Sequence, residues 1–246
     1  MNAAGNDREK AERYGEELFH FIADSDYPCI GAKAAMAKQH LPCFVGTDIR
    51  CPHDDASIAT FLFEFVDRFR SERPSAFYSA AVIFDQPQEI SEEDFDTFLW
   101  NRLQAIADID ATFFPYDARV SGDPAATDFS FSIKAEALYV IGLHPHSARK
   151  ARRFLHPGIV FNPHQQFDWL RSTGKYDSMK RSVRRRDLEY SGSVNPMLAD
   201  FGVSSEAIQY SGKQYGNNWK CPFASKHQGN DHHSSQKWSG VLAKEG

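Results

Sequence analysis

Histidines and arginines are concentrated in one short segment near the middle of the chain. Residues 142–154 contain His144, His146, Ser147, Arg149, Arg152 and Arg153. An imidazole is a common axial ligand of haem iron, and guanidinium groups pair well with carboxylates such as the haem propionates. A strand, a turn and a helix carrying these residues could equally bind a phosphate at the N-terminus of the helix. The residue types therefore indicate either a metal site or an anion site.

The two histidines of this segment are not equivalent. The apolar run 137–142 predicts a strand, and the residues after the turn predict a helix that carries the arginines. His144 comes at the end of the strand, where the backbone holds a side chain in a fixed direction. Because Pro145 separates the two histidines in an extended backbone, they are not expected to bind one iron from the same side. We expect His144 to be the ligand and His146 a neighbouring group.

Two cysteines are further candidates for chemistry. Cys221, in the sequence Trp-Lys-Cys-Pro-Phe, could ligate haem as a thiolate, or could be a buried and inert thiol. Cys29 follows Pro28 at a predicted helix entrance, where the pKa of a thiol can be lowered and the thiol can react as a nucleophile. The spacing of the four cysteines matches neither a CxxC pair nor a CxxCH haem-attachment site.

Polar and charged residues near the C-terminal end could contact a substrate. Asn195, Asp200 and Glu206 lie in Gly-containing polar loops, and a carboxylate among them could pair with a guanidinium. As ordinary surface charges they would need no functional explanation. The basic cluster 180–186 could likewise be a solvated helix face, or could contact an anion such as a cofactor carboxylate.

The composition limits the class of protein. The 246 residues are 41% hydrophobic and include 20 Phe, which is enough for a substantial core and compatible with a flat apolar ligand site. The net charge of −5 argues against nucleic acid as a partner. We expect no membrane association, because the chain lacks an apolar run of about 20 residues, and its charged N-terminus lacks a signal-peptide core. A cytoplasmic protein with reduced cysteines is predicted.

Helices and strands alternate irregularly along the chain. Apolar residues at helical spacing predict helices over residues 9–23, 31–39, 55–70, 91–106, 167–172 and 176–189. Strands are predicted over residues 43–46, 77–84, 129–133, 137–143 and 159–162. This order predicts an α+β or α/β fold, in which one domain (residues 1–223) has a central mixed sheet flanked by helices. Residues 224–246 are polar and predict a disordered tail.

Several segments in the same order resemble the YqcI/YcgG family over most of the chain, from residue 27 to residue 223. They are Tyr27-Pro28-Cys29, residues 142–149, 160–162, 186–187, 191–198 and 209–212, and Trp219-Lys220-Cys221-Pro222-Phe223. Characterised members of this family are haem-dependent guanidine N-hydroxylases of natural-product biosynthesis that act on arginine or related guanidino amino acids. The resemblance implies the same oxidoreductase activity here.

The resemblance also implies roles for individual residues. His144 would be the axial ligand of a non-covalent haem b in a dry, Phe-lined pocket. The remaining haem contacts would come from His146, Ser147, Arg149, Arg152, Arg153 and Cys221. Asn195, Asp200 and Glu206 would orient the guanidine, and the oxidant would be dioxygen with an external electron donor, or peroxide. A haem-binding or haem-sensing protein without turnover is the alternative, and a homodimer is left open.

Overall fold

One mixed β-sheet forms the centre of the protein. The computed structural model describes residues 3–72, 77–193, 197 and 201–227. Within these residues there are five strands, in the spatial order β1-β2-β5-β4-β3. They are β1 (Cys43–Asp48), β2 (Ala80–Gln86), β3 (Phe131–Ile133), β4 (Glu136–Leu143) and β5 (Gly158–Pro163). β1 and β2 are parallel, and the other neighbouring pairs are antiparallel.

Six α-helices flank this sheet in the described part of the chain. They are α1 (Ala3–Ala23), α2 (Ile30–Ala37), α3 (Asp55–Glu72), α4 (Glu92–Asp110), α5 (His164–Ser172) and α6 (Tyr176–Ser191). The sheet and its helices confirm the predicted α+β fold. At α4 the predicted cap is also confirmed, since the Ser91 side chain accepts a hydrogen bond from the Asp94 backbone N–H.

Helices α3 and α4 cover one face of the sheet. Leu138 and Val140 of β4 and Phe161 of β5 share an apolar core with α3 and α4 residues such as Leu62 and Leu99. Every second residue of β4 contributes to this core because successive side chains of a strand point to opposite faces.

Helices α1 and α2 lie against the opposite face of the sheet. Ala81 of β2 and Leu143 of β4 belong to a second core with Tyr14 and Leu18 of α1 and Ala35 of α2. The α5–α6 pair continues this layer, where α5 contacts β4. The position of a residue along β4 therefore decides which of the two helical layers it meets.

The segment after β4 differs from its prediction. Instead of a helix carrying three arginines, it forms a short 3-10 turn, Lys150–Arg152. The Arg152 carbonyl accepts hydrogen bonds from the backbone N–H groups of His144 and Phe154, so the chain turns back at once toward β5. A continuing helix would have used that carbonyl for its own ladder.

The residues after Phe223 pack onto α4. Ala224 exchanges two hydrogen bonds with the Gln104 side chain, and the His227 ring forms a hydrogen bond with Asp110 at 2.9 Å. Residues 224–227 were assigned to the tail from the sequence, so the body of the protein extends at least to His227. The rest of that tail, residues 228–246, lies outside the described residues. Among the residues that are described, no helix has the length and hydrophobicity needed to cross a membrane.

Candidate functional site

His144, the predicted metal ligand, lies on the α3–α4 side of the sheet. Two residues earlier in β4, a Cβ on Gly142 would lie 2.6 Å from the Phe95 ring of α4. The His144 ring stacks on the same Phe95 ring, with centroids 4.4 Å apart. The side chain is 0% exposed, and neither ring nitrogen has a hydrogen-bond partner within the described structure. His144 is therefore enclosed by the α4 core.

Burial also determines the protonation of His144. Desolvation, followed by the positive charges of His146 and Arg152, lowers the pKa of His144 from 6.5 to about 4. The imidazole is consequently neutral at pH 7 and has a free lone pair, as a metal ligand requires. Open space beside the ring is the other requirement, and the close packing on Phe95 does not provide it.

The residues that follow His144 in the sequence make contacts within the protein. The His146 ring is on the surface, where it contacts Glu89. Ser147 is buried, and its carbonyl accepts a hydrogen bond from Arg153 Nε at 3.1 Å. In this structure Arg153 thus contacts the local backbone and His146 contacts a surface carboxylate.

Two buried arginines hold the predicted segment against other parts of the chain. Arg149 pairs with Asp187 of α6 at 2.6 Å and donates to the Ser193 carbonyl at 2.7 Å. Arg152 donates to the carbonyls of Gln209 and Tyr210 at 2.7 and 2.8 Å. Both guanidinium groups therefore already have acceptors within the protein.

Cys221 packs at the edge of the α3–α4 core, in the same cluster as Trp100 and Trp219. Burial raises the pKa of the Cys221 thiol to about 12, so the thiol is protonated at neutral pH. The structure thus places the two predicted haem ligands, His144 and Cys221, in the same layer of the protein.

A cavity with apolar walls lies on the opposite face of the sheet, under α5 and α6. We call it the α5–α6 cavity. Its volume is about 220 Å³. The aromatic and aliphatic part of its lining consists of Phe77, Tyr139, Ile141, Phe167, Tyr176, Met179, Val183 and Phe201. The predicted Phe-lined haem pocket at His144 stays a prediction, and the Phe residues of this cavity are Phe77, Phe167 and Phe201.

A buried imidazole–carboxylate pair lines the cavity. His164, the first residue of α5, contacts the Glu206 carboxylate through Nε2 at 3.0 Å, and both side chains are less than 10% exposed. The Tyr210 hydroxyl donates a hydrogen bond to the other Glu206 oxygen at 2.5 Å. Burial, followed by the Glu206 charge, raises the pKa of Tyr210 far above its ordinary value, so this hydroxyl keeps its proton. The three side chains form one hydrogen-bonded row, Tyr210–Glu206–His164.

Neutral polar groups from the sheet line the same cavity. Asn162 of β5 accepts a hydrogen bond from Ser79 at 2.6 Å and donates to the Tyr139 carbonyl at 3.2 Å. The Tyr139 hydroxyl donates to Gln209 at 2.8 Å. Tyr139 on β4 and Asn162 on β5 occupy strand positions that alternate with residues of the α3–α4 core. Strand alternation therefore places both side chains at the cavity.

Three cations line the cavity on its helical side: Arg171 of α5, and Lys180 and Arg184 of α6. Cys29, at the start of α2, lines it as well, and burial raises the pKa of that thiol. The prediction that Cys29 has a lowered pKa is therefore wrong, because desolvation outweighs the hydrogen bonds from the backbone of α2.

Of the predicted substrate contacts, the structure brings Glu206 into the cavity. Asn195 and Asp200 lie outside the described residues. His164, two residues after the predicted strand 159–162, was not identified from the sequence, and neither was Tyr139, which lies within the predicted strand 137–143. In the part of the chain that is described, no group of three or more His, Cys, Asp or Glu side chains is arranged to hold a metal ion.

The described part of the chain is thus an α+β protein with a cavity that contains a buried histidine and carboxylate. Comparison with protein families shows that the chain belongs to the YqcI/YcgG family, whose profile matches residues 18–224. No curated protein and no solved structure matches the chain.

Proposed function

We propose that this protein is a haem-dependent monooxygenase that N-hydroxylates the guanidine group of arginine or a related guanidino amino acid, and that the α5–α6 cavity is its active site. The observation that carries the proposal is the buried His164–Glu206 pair in a cavity with aromatic and aliphatic side chains in its walls. The reaction is the one that the family resemblance implies, and the cavity is where we propose that the substrate binds.

The residues of the cavity fit a haem better than the surroundings of His144 do. A metal-bound histidine commonly donates its other ring N–H to a carboxylate, which fixes the ring and raises its basicity. The Glu206 carboxylate accepts such a hydrogen bond from His164 Nε2. His144 has neutral, unpartnered nitrogens but is packed against Phe95 with no carboxylate on its ring. We therefore propose that His164, in place of the sequence-based candidate His144, would hold a bound haem.

Bound haem would activate dioxygen or peroxide, and the side chains of the protein would position the substrate and donate protons. Tyr210 and His164 both donate to Glu206, which keeps the carboxylate buried and the imidazole in one orientation. Aromatic walls exclude water, which strengthens each polar contact inside the cavity. The Asn162 side-chain oxygen has one hydrogen bond, from Ser79, and a second lone pair that can accept from a guanidine N–H.

A direct test combines spectroscopy with turnover. The full-length protein is produced with haem supplied, and its absorption spectrum is recorded. The protein is then incubated with arginine, a reductant and oxygen, or with peroxide. We expect a Soret band and a product one oxygen atom heavier than arginine. A colourless protein would refute the assignment, and a coloured protein without product would favour haem binding or sensing. A ferrous-CO band typical of thiolate haem would instead support Cys221 as the ligand.

A further inference from the structure

We propose that a row of tyrosine and tryptophan side chains carries single electrons between the α5–α6 cavity and the protein surface. The row consists of Trp219, Trp100 and Tyr210, and we call it the aromatic row. It reaches the cavity at Glu206 and Tyr139, which line the cavity and contact Tyr210. The inference rests on the proposed function for the oxidant in the cavity, but the row itself is argued from the distances between side chains.

The rings of the aromatic row are close to one another. Trp219 is partly exposed, and its ring centroid lies 6.1 Å from that of Trp100 on α4. The Trp100 ring stacks on Tyr210, with centroids 5.7 Å apart, and both residues are buried. The Tyr210 ring is 6.0 Å from the ring of Tyr139. Electron transfer between side chains slows steeply with distance, so short steps through these rings are faster than one long step through the core.

The residue types in the aromatic row are ones that lose an electron readily. Tyrosine and tryptophan are oxidised by one electron at far lower potentials than phenylalanine. Most buried aromatic residues of the α3–α4 core are phenylalanines, and the exceptions are Tyr78, Trp100 and Tyr210. Two of these exceptions, Trp100 and Tyr210, stack on each other. Phenylalanine would fill the same interior without a polar atom to satisfy, so packing alone does not explain this pair.

Tyr210 also has an acceptor for the proton that it loses on oxidation. A tyrosine that has lost an electron is a strong acid, so its oxidation is easier when a base lies within hydrogen-bond distance. The Tyr210 hydroxyl donates to Glu206 Oε1 at 2.5 Å and accepts from the Phe131 backbone N–H at 3.0 Å. These two contacts fix the hydroxyl, and its proton can move to the Glu206 carboxylate and return along the same hydrogen bond.

The surface end of the row is accessible to a reductant. Trp219 and Tyr215 are both partly exposed, and their rings stack with centroids 3.9 Å apart. The Tyr215 hydroxyl donates to the Asp96 carboxylate of α4, so this end also has a tyrosine with a proton acceptor. A small reductant in solution can contact this pair of rings, whereas burial shields the Trp100 ring from it.

Each passage of one electron along the row is balanced. Tyr210 loses one electron to a haem that peroxide has oxidised, and its hydroxyl proton moves to Glu206. Trp100 then gives one electron to Tyr210, and the proton returns from Glu206. Trp219 reduces Trp100, and a one-electron reductant in solution, such as ascorbate, reduces Trp219. The net result is one electron moved from ascorbate to the oxidant, which returns an unused oxidant in the cavity to its resting state.

The test starts the electron transfer at the surface, so it does not depend on haem. A ruthenium polypyridyl photo-oxidant is attached to the full-length protein through Asn218→Cys, at an exposed position next to Trp219. Cys51→Ser removes an exposed native thiol, and Tyr215→Phe removes a tyrosine that would give its own radical. After a flash in the presence of an external electron acceptor, the oxidised ruthenium takes one electron from the row. Transient absorbance and EPR spectroscopy record a neutral tyrosyl radical.

Four variants of this labelled protein locate the radical. Tyr210→Phe removes the proposed radical site, and Trp100→Phe removes the oxidisable ring between Tyr210 and the surface. Trp219→Phe breaks the row at a partly exposed position, where a change of packing matters less than in the core. Trp169→Phe is the matched control, because Trp169 is on α5 and does not belong to the row. Circular dichroism checks that each variant is folded.

We expect a tyrosyl radical in the labelled protein and in Trp169→Phe. Tyr210→Phe should abolish the signal, and Trp100→Phe and Trp219→Phe should each lose most of it. No radical in the labelled protein, or an equal signal in folded Trp100→Phe and Tyr210→Phe, would overturn the proposal. A Tyr210 radical in a protein that binds no haem would support the row and refute the proposed reaction, whereas a Soret band without a Tyr210 radical would refute the row alone.

Discussion

The stability of the protein toward acid tests the burial of His144. Substitution of His144 by Leu removes two ring nitrogens that have no hydrogen-bond partner in the described structure and leaves an apolar side chain against Phe95. Because the folded state lowers the pKa of His144 to about 4, the unfolded chain binds a proton more readily than the folded chain between pH 6.5 and pH 4. The stability contributed by the neutral ring is thus present above pH 6.5 and is lost as the pH falls toward 4.

The size of this loss follows from the two pKa values. The difference between 6.5 and about 4 corresponds to about 3 kcal/mol of unfolding free energy. At pH 7, removal of two unsatisfied nitrogens should stabilise the variant by about 1–3 kcal/mol, offset by about 1 kcal/mol of lost ring stacking. We therefore expect His144→Leu to equal or exceed wild type at pH 7, and to exceed it by a further 2–3 kcal/mol or so at pH 4.5.

Urea unfolding followed by tryptophan fluorescence at pH 7.5, 6.0 and 4.5 measures this difference. Other groups titrate in the same range, including Asp55, whose pKa is raised to about 6 by burial. Their contributions are shared by both proteins and cancel when the variant is compared with wild type. His53→Leu is the control, since the His53 side chain is 75% exposed. Parallel losses of free energy in wild type and His144→Leu would refute the burial of a neutral His144.

Three further substitutions test the packing and the polar contacts. Gly142→Ala should destabilise the protein by about 1–3 kcal/mol in urea unfolding, because a Cβ there would lie 2.6 Å from the Phe95 ring. Arg149→Met should lower the unfolding free energy by about 3–5 kcal/mol, because it leaves the largely buried Asp187 carboxylate without its 2.6 Å ion pair. Glu206→Gln should lower both haem uptake and stability, the latter by about 1–3 kcal/mol, because the carboxylate that accepts two hydrogen bonds is lost.

Each of these predictions has a control. Gly15→Ala, where no atom lies within 4 Å of the new Cβ, should not destabilise the protein. Arg149→Met combined with Asp187→Leu should be less damaging than Arg149→Met alone, and an equal or larger loss would contradict the ion-pair explanation. A Glu206→Gln protein with wild-type haem uptake would contradict the role assigned to its carboxylate.

Local patterns were sufficient to predict most of the framework. The apolar spacing of α3 and the Ser91 cap of α4 are decided within a few residues, and the structure confirms both. The arginine-rich segment after β4 was wrongly predicted to be helical. Its conformation depends on the carbonyls of Gln209 and Tyr210, which are more than 50 residues away and accept hydrogen bonds from Arg152. A short-range pattern contains no information about such acceptors.

The site was harder to predict than the fold. Alternation along β4 shows that the side chains of Tyr139 and Val140 point to opposite faces of the sheet. It does not show which face has a cavity. His144 and His164 both follow a strand, and only the packing of α4 against the first and the cavity beside the second distinguish them. Glu206 was predicted as a substrate contact because of its charge. The structure places it beside His164, where it supports an imidazole.

Haem titration of two variants tests the central claim, that the α5–α6 cavity is the functional site. Wild type, His164→Leu and His144→Leu are each titrated with haem, and the Soret band is recorded together with the circular dichroism of the folded protein. We expect a Soret band in wild type and in His144→Leu, and a strongly reduced band in a folded His164→Leu. Loss of the band in His144→Leu with retention in His164→Leu would contradict it.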